Sequence, residues 1–347
     1  MVPIAIDAMG GDDAPRTIIE GVGMALDRLA FVDKLLLVGH EEQIGSELQR
    51  IGKLDDPRLE IVHTDQVVGM GESPAAAIRA KPRSSIAVAV DLVKKGQARG
   101  VVSAGHTGAF VASSVLKLRT LPGIERPGIA TVFPTPTGWI LLLDAGATVD
   151  CKPQHLVHYA VMGEIYAREI LGAKSPRVGL LNVGGEEGKG NELVKETYKR
   201  LSALPRINFT GNIEGHDLFA NTVDVVVCDG FVGNVVLKSC ESLAKAIRGF
   251  LKASLGKNPL RMAGALMCRG AFAEFRQLSD YAEYGGAPLL GLNGVCIVGH
   301  GSSSPLAICN AIRFAGQAIE HHMNEHIVAR INELGLGSSD RKAGPDA

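Results

Sequence analysis

Nine polar side chains stand in glycine-rich stretches able to hold a small anion: His106, Thr107, Lys189, Asn191, Asp229, Asn234, Lys238, His300 and Ser302. Most fall within Ala104-Gly105-His106-Thr107-Gly108, Gly184-Gly185-Glu186-Glu187-Gly188-Lys189-Gly190, Asp229-Gly230-Phe231-Val232-Gly233-Asn234 and Gly299-His300-Gly301-Ser302-Ser303-Ser304. A fifth stretch, Met9-Gly10-Gly11-Asp12-Asp13-Ala14-Pro15, lies near the start. Glycine lets backbone N–H groups approach a ligand with no Cβ in the way. A helix that begins behind such a loop adds unpaired N–H groups and a partial positive charge. Together these donors suit a phosphate-type ligand.

Other chemistries lack their signatures. There is no Gly-x-x-x-x-Gly-Lys-Ser/Thr loop, no His-Glu-x-x-His pair, no Gly-x-Gly-x-x-Gly after the first strand and no Gly-x-Ser-x-Gly elbow. No cofactor and no metal are expected. The six cysteines (Cys151, Cys228, Cys240, Cys268, Cys296 and Cys309) form no C-x-x-C pair and read as small buried thiols in a reducing compartment. Asp12-Asp13 fits helix capping, a cation or a ligand contact, and His321-His322 fits a polar helix surface.

The elements behind the loops repeat one order: a β-branched run, the loop, then a helical pattern. Val2–Asp7 precedes a helix near Arg16–Leu29, Gly100–Ser103 a helix through Leu118, and Arg177–Val183 a helix from Asn191. Val223–Cys228 precedes a helix holding Lys238, and Gly294–Val298 a helix from Pro305. Further strands fit Lys34–Val38, Leu59–His63, Ile129–Val132 and Trp139–Asp144. Alternating strands and helices predict a three-layer α/β/α sandwich with a mostly parallel sheet, one unit over residues 1–337, with a disordered tail at 338–347. All five loops are then expected at one sheet edge, where ligands bind in such folds.

Composition excludes other classes. Hydrophobic residues are 46% and charged residues 21% of 347, which fills a large core and excludes global disorder. A net charge of −1 and 5% aromatics leave neither the basic surplus nor the stacking surface of a nucleic-acid binder. No apolar run reaches the ~18 residues of a membrane span. Val2–Ile6 reads as a strand rather than a secretory leader, so the expected location is cytoplasmic, at most peripheral to a membrane.

One segment departs from this neutrality. Residues 245–278 carry Lys245, Arg248, Lys252, Lys257, Arg261, Arg269 and Arg276 against Glu274 alone, a net of +6. Leu243, Ile247, Phe250, Leu251 and Leu255 recur at helical spacing, and Asn258-Pro259 reads as a cap with proline at the first helical position. The pattern predicts a basic amphipathic helical hairpin, which suits an anionic membrane surface, a dimer contact or both.

At these loops the chain resembles a known family. Ile4-Ala5-Ile6-Asp7-Ala8-Met9-Gly10-Gly11-Asp12-Asp13-Ala14-Pro15 is similar to the opening of the PlsX family of bacterial acyl-carrier-protein:phosphate acyltransferases. The likeness continues through Gly69-Met70-Gly71-Glu72-Ser73-Pro74, Ser103–Ala109, Lys189–Leu193, Asp229–Val235, Glu283–Gly291 and His300–Ser303. Thr148 stands where the family has Asn, and His216 where it has Arg. The resemblance implies an isopropylmalate-dehydrogenase-like fold, a homodimer, and the reaction of acyl–ACP with inorganic phosphate to give acyl phosphate and free ACP. A membrane glycerol-phosphate acyltransferase would consume the product.

The residues suit that chemistry. Phosphate is already an anion and needs holding and aiming more than activation. Ser103, Gly105, His106, Thr107 and Gly108 are expected to cradle it with His300, Gly301, Ser302 and Ser303. Asp7, Gly10, Gly11, Asp12 and Gly233 are expected to help bind substrate. Lys189, Asn191 and Lys238 would neutralise charge or donate to the oxyanion, and Asp229 and Asn234 would orient those donors. His106 or His300 would protonate the leaving sulfur, or serve only as loop donors. Nothing in the sequence activates Cys228, so direct attack by phosphate is expected over an acyl-cysteine. ACP is acidic, so Arg79, Lys81 and Arg83 form a candidate dock or a solvated loop, with Ser84 or Ser85 capping the next helix. The competing readings are an acyl-CoA-dependent phosphotransacetylase, separable by its thioester donor, and a non-catalytic membrane scaffold for lipid enzymes. A nicotinamide-dependent hydroxyacid dehydrogenase lacks its cofactor signature and acid cluster.

Overall fold

The computed structural model describes residues 3–272 and 285–337. Eleven strands form one sheet: β1 (Pro3–Asp7), β2 (Lys34–Gly39), β3 (Leu59–His63), β4 (Gly100–Ser103), β5 (Gly128–Thr135), β6 (Gly138–Leu143), β7 (Val178–Leu181), β8 (Phe209–Ile213), β9 (Val225–Val227), β10 (Ala287–Leu290) and β11 (Val295–Val298). Their order across the sheet is β3-β2-β1-β4-β11-β10-β5-β6-β9-β7-β8. The expected α/β architecture with a mostly parallel sheet is present.

Helices cover both faces because the strands are apolar on both. Ile4 and Ile6 of β1 enter a core with α1 (Arg16–Arg28), α6 (Pro153–Glu169), α10 (Pro305–Glu320) and α11 (Met323–Glu333). Ala5, between them, points to the opposite core with α4 (Ser85–Lys94) and α5 (Thr107–Leu118). The remaining helices are α2 (Glu41–Arg50), α3 (Pro74–Ala80), α7 (Glu192–Ser202), α8 (Gly230–Leu255) and α9 (Pro259–Met267). The α2, α3, α6 and α11 helices and the β8 and β10 strands are additions to the elements read from sequence.

The strand directions overturn one expectation. β1, β4 and β11 run parallel. β10 is antiparallel to β11 and to β5, and β5 is antiparallel to β6. β6, β9, β7 and β8 then run parallel to one another. Three successive antiparallel pairings reverse the second half of the sheet. The loops after β1, β4 and β11 therefore leave one edge, and those after β7 and β9 leave the opposite edge. The five loops do not share an edge.

Beyond the sheet, α8 and α9 project as a hairpin whose apolar side is bare. Leu243 is 62% exposed, Phe250 73%, Leu260 83% and Met267 87%. Asn258 caps α9 by accepting from the Arg261 N–H at 2.9 Å, with Pro259 in the first turn. Glu274, Phe275 and Arg276 of the expected hairpin lie outside the described residues, as do Glu283, Tyr284 and the tail 338–347. Among the described residues no helix is long and apolar enough to cross a membrane.

Candidate active site

Two corners are built at the strand ends. The first joins the loops after β1, β4 and β11. The Asp12 N–H donates to the Gly301 carbonyl at 2.8 Å, and the Gly299 N–H donates to the Ser103 carbonyl at 2.7 Å. Glycine is required at the contact: a Cβ on Gly10 would stand 2.6 Å from the Gly105 nitrogen. This places Gly10, Gly11, Asp12, Ser103, Gly105 and Gly301 together, as the phosphate reading requires.

Asp7 and Ser103 prove to be scaffold rather than ligand groups. They are 1% and 2% exposed, and Ser103 Oγ donates to Asp7 Oδ2 at 2.7 Å while accepting from the Gly105 N–H at 3.2 Å. Burial pushes the Asp7 carboxyl above its ordinary range, opposed by bonds from Ser103, Ser85 and the Met9 N–H. Both groups are thus engaged inside the protein.

The start of α5 supplies such donors. His106 caps it, its Nδ1 accepting from the Ala109 N–H at 3.3 Å. The other ring nitrogen, Nε2, donates to the Glu72 carbonyl at 2.9 Å. A backbone N–H can only donate and a carbonyl only accept, so His106 is the neutral Nε2–H tautomer with both nitrogens occupied. In this arrangement its Nε2 proton is committed to the Glu72 carbonyl. Among the described residues the Thr107 and Gly108 N–H groups take no partner, as expected at a helix start. In the loop after β11, His300 Nδ1 accepts from the Ser302 N–H at 3.2 Å. His300 and Ser302 are exposed.

The second corner surrounds Asp144, which ends β6 and is fully buried. Its Oδ1 accepts from the Ile129, Gly146 and Ala147 N–H groups, each at 2.9 Å, and its Oδ2 from Thr148 at 2.7 Å. Burial nevertheless pushes this carboxyl upward, the four N–H bonds opposing it. Gly233 packs so closely that a Cβ there would lie 1.9 Å from the Asp144 carbonyl oxygen. Asp229 caps α8, accepting from the Val232 N–H at 2.9 Å, so its expected role of orienting Lys and Asn donors gives way to a helix cap. Asn234 lies against Gly146. Thr148, at the family's Asn position, donates its hydroxyl to the Pro127 carbonyl at 3.2 Å.

Asp144 was absent from the sequence-derived site. Its signal was available: Asp144-Ala145-Gly146 repeats the pattern of Asp7-Ala8-Met9-Gly10, an aspartate ending an apolar strand before a glycine turn.

Cys228, in the same corner, is 3% exposed and burial pushes its thiol up. Cys151 is pushed up to about 11, again by burial. Neither is an activated nucleophile.

The other expected residues stand apart. Lys189 and Asn191 follow β7; Asn191 caps α7 by accepting from the Val194 N–H at 3.0 Å, and the Lys189 side chain is exposed. Among the described residues no hydrogen bond joins either to a corner. Lys238 pairs with Glu241 at 2.9 Å. Lys81 is not a docking cation: its Nζ lies 2.6 Å from Glu72 Oε1 and 2.8 Å from the Val67 carbonyl. Arg79 and Arg83 are exposed. Ser84 caps α4, accepting from the Ala87 N–H at 3.4 Å. His216, at the family's Arg position, is exposed between Glu214 and Asp217 at 3.9 and 3.5 Å. Asp12 and Asp13 do not cap α1 through their side chains.

The corners share one layer. Ala145, Ala147 and Leu237 of α8 pack into the apolar cluster that holds Ala109 and Phe110 of α5.

A family model described as "Fatty acid synthesis protein" matches residues 2–326. The chain belongs to this family. The phosphate acyltransferase of Desulforamulus reducens is 51% identical over 320 residues, covering 92% of this chain and 94% of that one. The phosphate acyltransferase of Nitratidesulfovibrio vulgaris is 48% identical over 328 residues, 94% of each chain. A solved phosphotransacetylase from Streptococcus pyogenes shares the fold, with a TM-score of 0.60 at 19% identity over 92% of this chain and 94% of that one.

Proposed function

We propose that this chain moves the acyl group of acyl–ACP onto inorganic phosphate. The chain is an acyltransferase of fatty acid and phospholipid synthesis. The observation that carries the reading is family membership across residues 2–326, joined to relatives at 48–51% identity that are phosphate acyltransferases.

The first corner supports phosphate as the acceptor. The open N–H groups of Thr107 and Gly108 face the start of α5, where an anion is favoured electrostatically. The Asp12 carboxylate lies by Gly301, so the anion sits on the α5 side of the corner. Phosphate held there attacks the thioester carbon, the oxyanion forms, and the thiolate leaves. A thiol pKa near ~8.5 makes that departure easy without a strong acid. The exposed His300 is the side chain suited to donate to the sulfur or the oxyanion. The buried Cys228 thiol favours direct attack over an acyl-enzyme.

The hairpin fits a peripheral membrane enzyme that pairs with a second copy. Its stem offers the bare Leu243 and Ile247 side to the partner, and its tip offers Leu260, Met262 and Met267 to lipid. Residues 245–272 hold six basic residues and no acid, each basic side chain contributing about 1 kcal/mol near an anionic surface. A long acyl phosphate is poorly soluble, so its release beside a membrane glycerol-phosphate acyltransferase is sensible. The acidic carrier docks by the exposed Arg79 and Arg83.

The test incubates the purified protein with palmitoyl–ACP and phosphate and follows acyl phosphate. Formation only with acyl-CoA would favour the phosphotransacetylase reading, and no thiol release with either donor would favour a scaffold.

A further inference from the structure

Lys81, withdrawn from the dock by its bond to Glu72, leads with that partner straight to the phosphate corner. Glu72 Oε1 receives Lys81 Nζ and the Gly69 N–H, both at 2.6 Å, which closes residues 69–72 into a tight turn. Lys81 Nζ also holds the Val67 carbonyl at 2.8 Å, tying the two ends of that turn together. The carbonyl of Glu72, fixed by this turn, accepts the His106 Nε2 proton at 2.9 Å. His106 Nδ1 then receives the Ala109 N–H at 3.3 Å. Pro74, just beyond the turn, lies where a Cβ on Gly108 would approach to 2.7 Å. One line of contacts therefore runs from Lys81 through Glu72 and His106 to the first turn of α5.

Each link has a chemical direction. With its Nε2 proton committed to Glu72, His106 must present a lone pair at Nδ1, and only that tautomer can cap Ala109. A ring tautomerised to Nδ1–H would aim an N–H, and a flipped ring its Cδ2–H, at the Ala109 N–H, opening the cap. The two unpartnered donors of Thr107 and Gly108 immediately follow this ring in the chain. We infer that Lys81 and Glu72 are positioning residues, holding His106 as the Nε2–H tautomer so that the start of α5 keeps the geometry that grips phosphate. This rests on the acyltransferase reading for its kinetic consequence, but not for its structural one. The ion pair is half-buried, with side chains 33% and 35% exposed, so it sets geometry more than overall stability.

The variants are Lys81→Met, Glu72→Gln and the conservative Lys81→Arg, with His106→Asn to identify the histidine signal. In the first two, KM for phosphate is expected to rise about tenfold while kcat stays within about twofold. The melting temperature is expected to stay near that of the unsubstituted protein, and Lys81→Arg to restore the phosphate KM. Nitrogen-15 spectra of histidine-labelled full-length protein supply a second readout. They are expected to show His106 as the Nε2–H tautomer, and to lose that pattern in Lys81→Met. An unchanged phosphate KM overturns the inference, as does a KM rise that only follows a falling melting temperature. A His106 pattern that persists in Lys81→Met also overturns it. If the unsubstituted protein shows no phosphate-dependent turnover, the functional reading fails instead, and the spectra still decide the relay.

Discussion

Ser103 donates its hydroxyl proton to Asp7 across 2.7 Å, and both side chains are sealed from solvent. Asp144 does the equivalent work in the reversed half of the sheet, with backbone N–H groups in place of the serine. Each half ends a leading strand with an aspartate whose oxygens fold a glycine-rich turn. These two charged residues beside the loops thus shape the corners.

Replacing Asp144 with alanine leaves four N–H groups without their acceptor, that of Ile129 buried and those of Gly146, Ala147 and Thr148 part-buried. A buried unsatisfied group costs about 1–3 kcal/mol and the part-buried ones less, so stability is expected to fall by at least about 2 kcal/mol. Urea unfolding followed by circular dichroism measures this. A loss under about 1 kcal/mol would show that the turn does not depend on the carboxylate.

Gly233→Ala puts a methyl group 1.9 Å from the Asp144 carbonyl oxygen. Backbone must move, at a cost of about 1–3 kcal/mol or more, and the second corner opens. Turnover is expected to drop with the melting temperature. Gly249→Ala, on the hairpin with nothing near its Cβ, is the matched control: turnover should hold and the melting temperature should stay or rise slightly, because alanine favours the helix.

His158 is 1% exposed, and burial pushes its imidazole down to about 4 from 6.5. The folded state holds the ring neutral, whereas the unfolded chain takes up a proton at higher pH. Its contribution is therefore complete above pH 6.5 and is lost as pH falls toward about 4. The loss amounts to about 3 kcal/mol at most. His155, also pushed down by burial, adds a slope of the same sign. In His158→Gln, urea midpoints between pH 6.5 and 4 should decline less steeply than in the unsubstituted protein. Equal slopes would assign the acid sensitivity elsewhere.

Lys189 follows β7, away from the first corner, so Lys189→Ala is expected to change turnover by less than about tenfold, well short of the ~10²–10³ typical of one transition-state donor. Because its side chain is exposed, circular dichroism should be unchanged. A loss of about 10²–10³ would return Lys189 to the chemistry.

Cys228→Ala separates the two routes of acyl transfer. Direct attack by phosphate predicts retained turnover and no covalent adduct by mass spectrometry of protein quenched with palmitoyl–ACP. Abolished turnover together with an acylated wild-type cysteine would establish the other route.

Local chemistry was legible in the sequence and long-range geometry was not. The Asn258-Pro259 start and the Ser84 cap follow from side-chain preference within one helical turn, so they could be read directly. The helix Pro153–Glu169 could not, because residues Leu156–Met162 are buried all round and no apolar stripe stands out. The reversal of the sheet hinges on the strand Ala287–Leu290, four residues containing a proline, which reads as a loop. Without that strand the later loops look as if they leave the same edge as the earlier ones. Lys81 likewise reads as a surface cation until Glu72 is seen beside it.

The projecting arm has an electrical consequence for the whole molecule. Residues 245–272 carry +6 while the full chain carries −1, which leaves −7 on everything else. Such a separation is a molecular dipole, and a negatively charged sheet exerts a torque on a dipole before contact. Within a Debye length of about 8 Å at physiological salt, the protein arrives already turned, arm first and body held off.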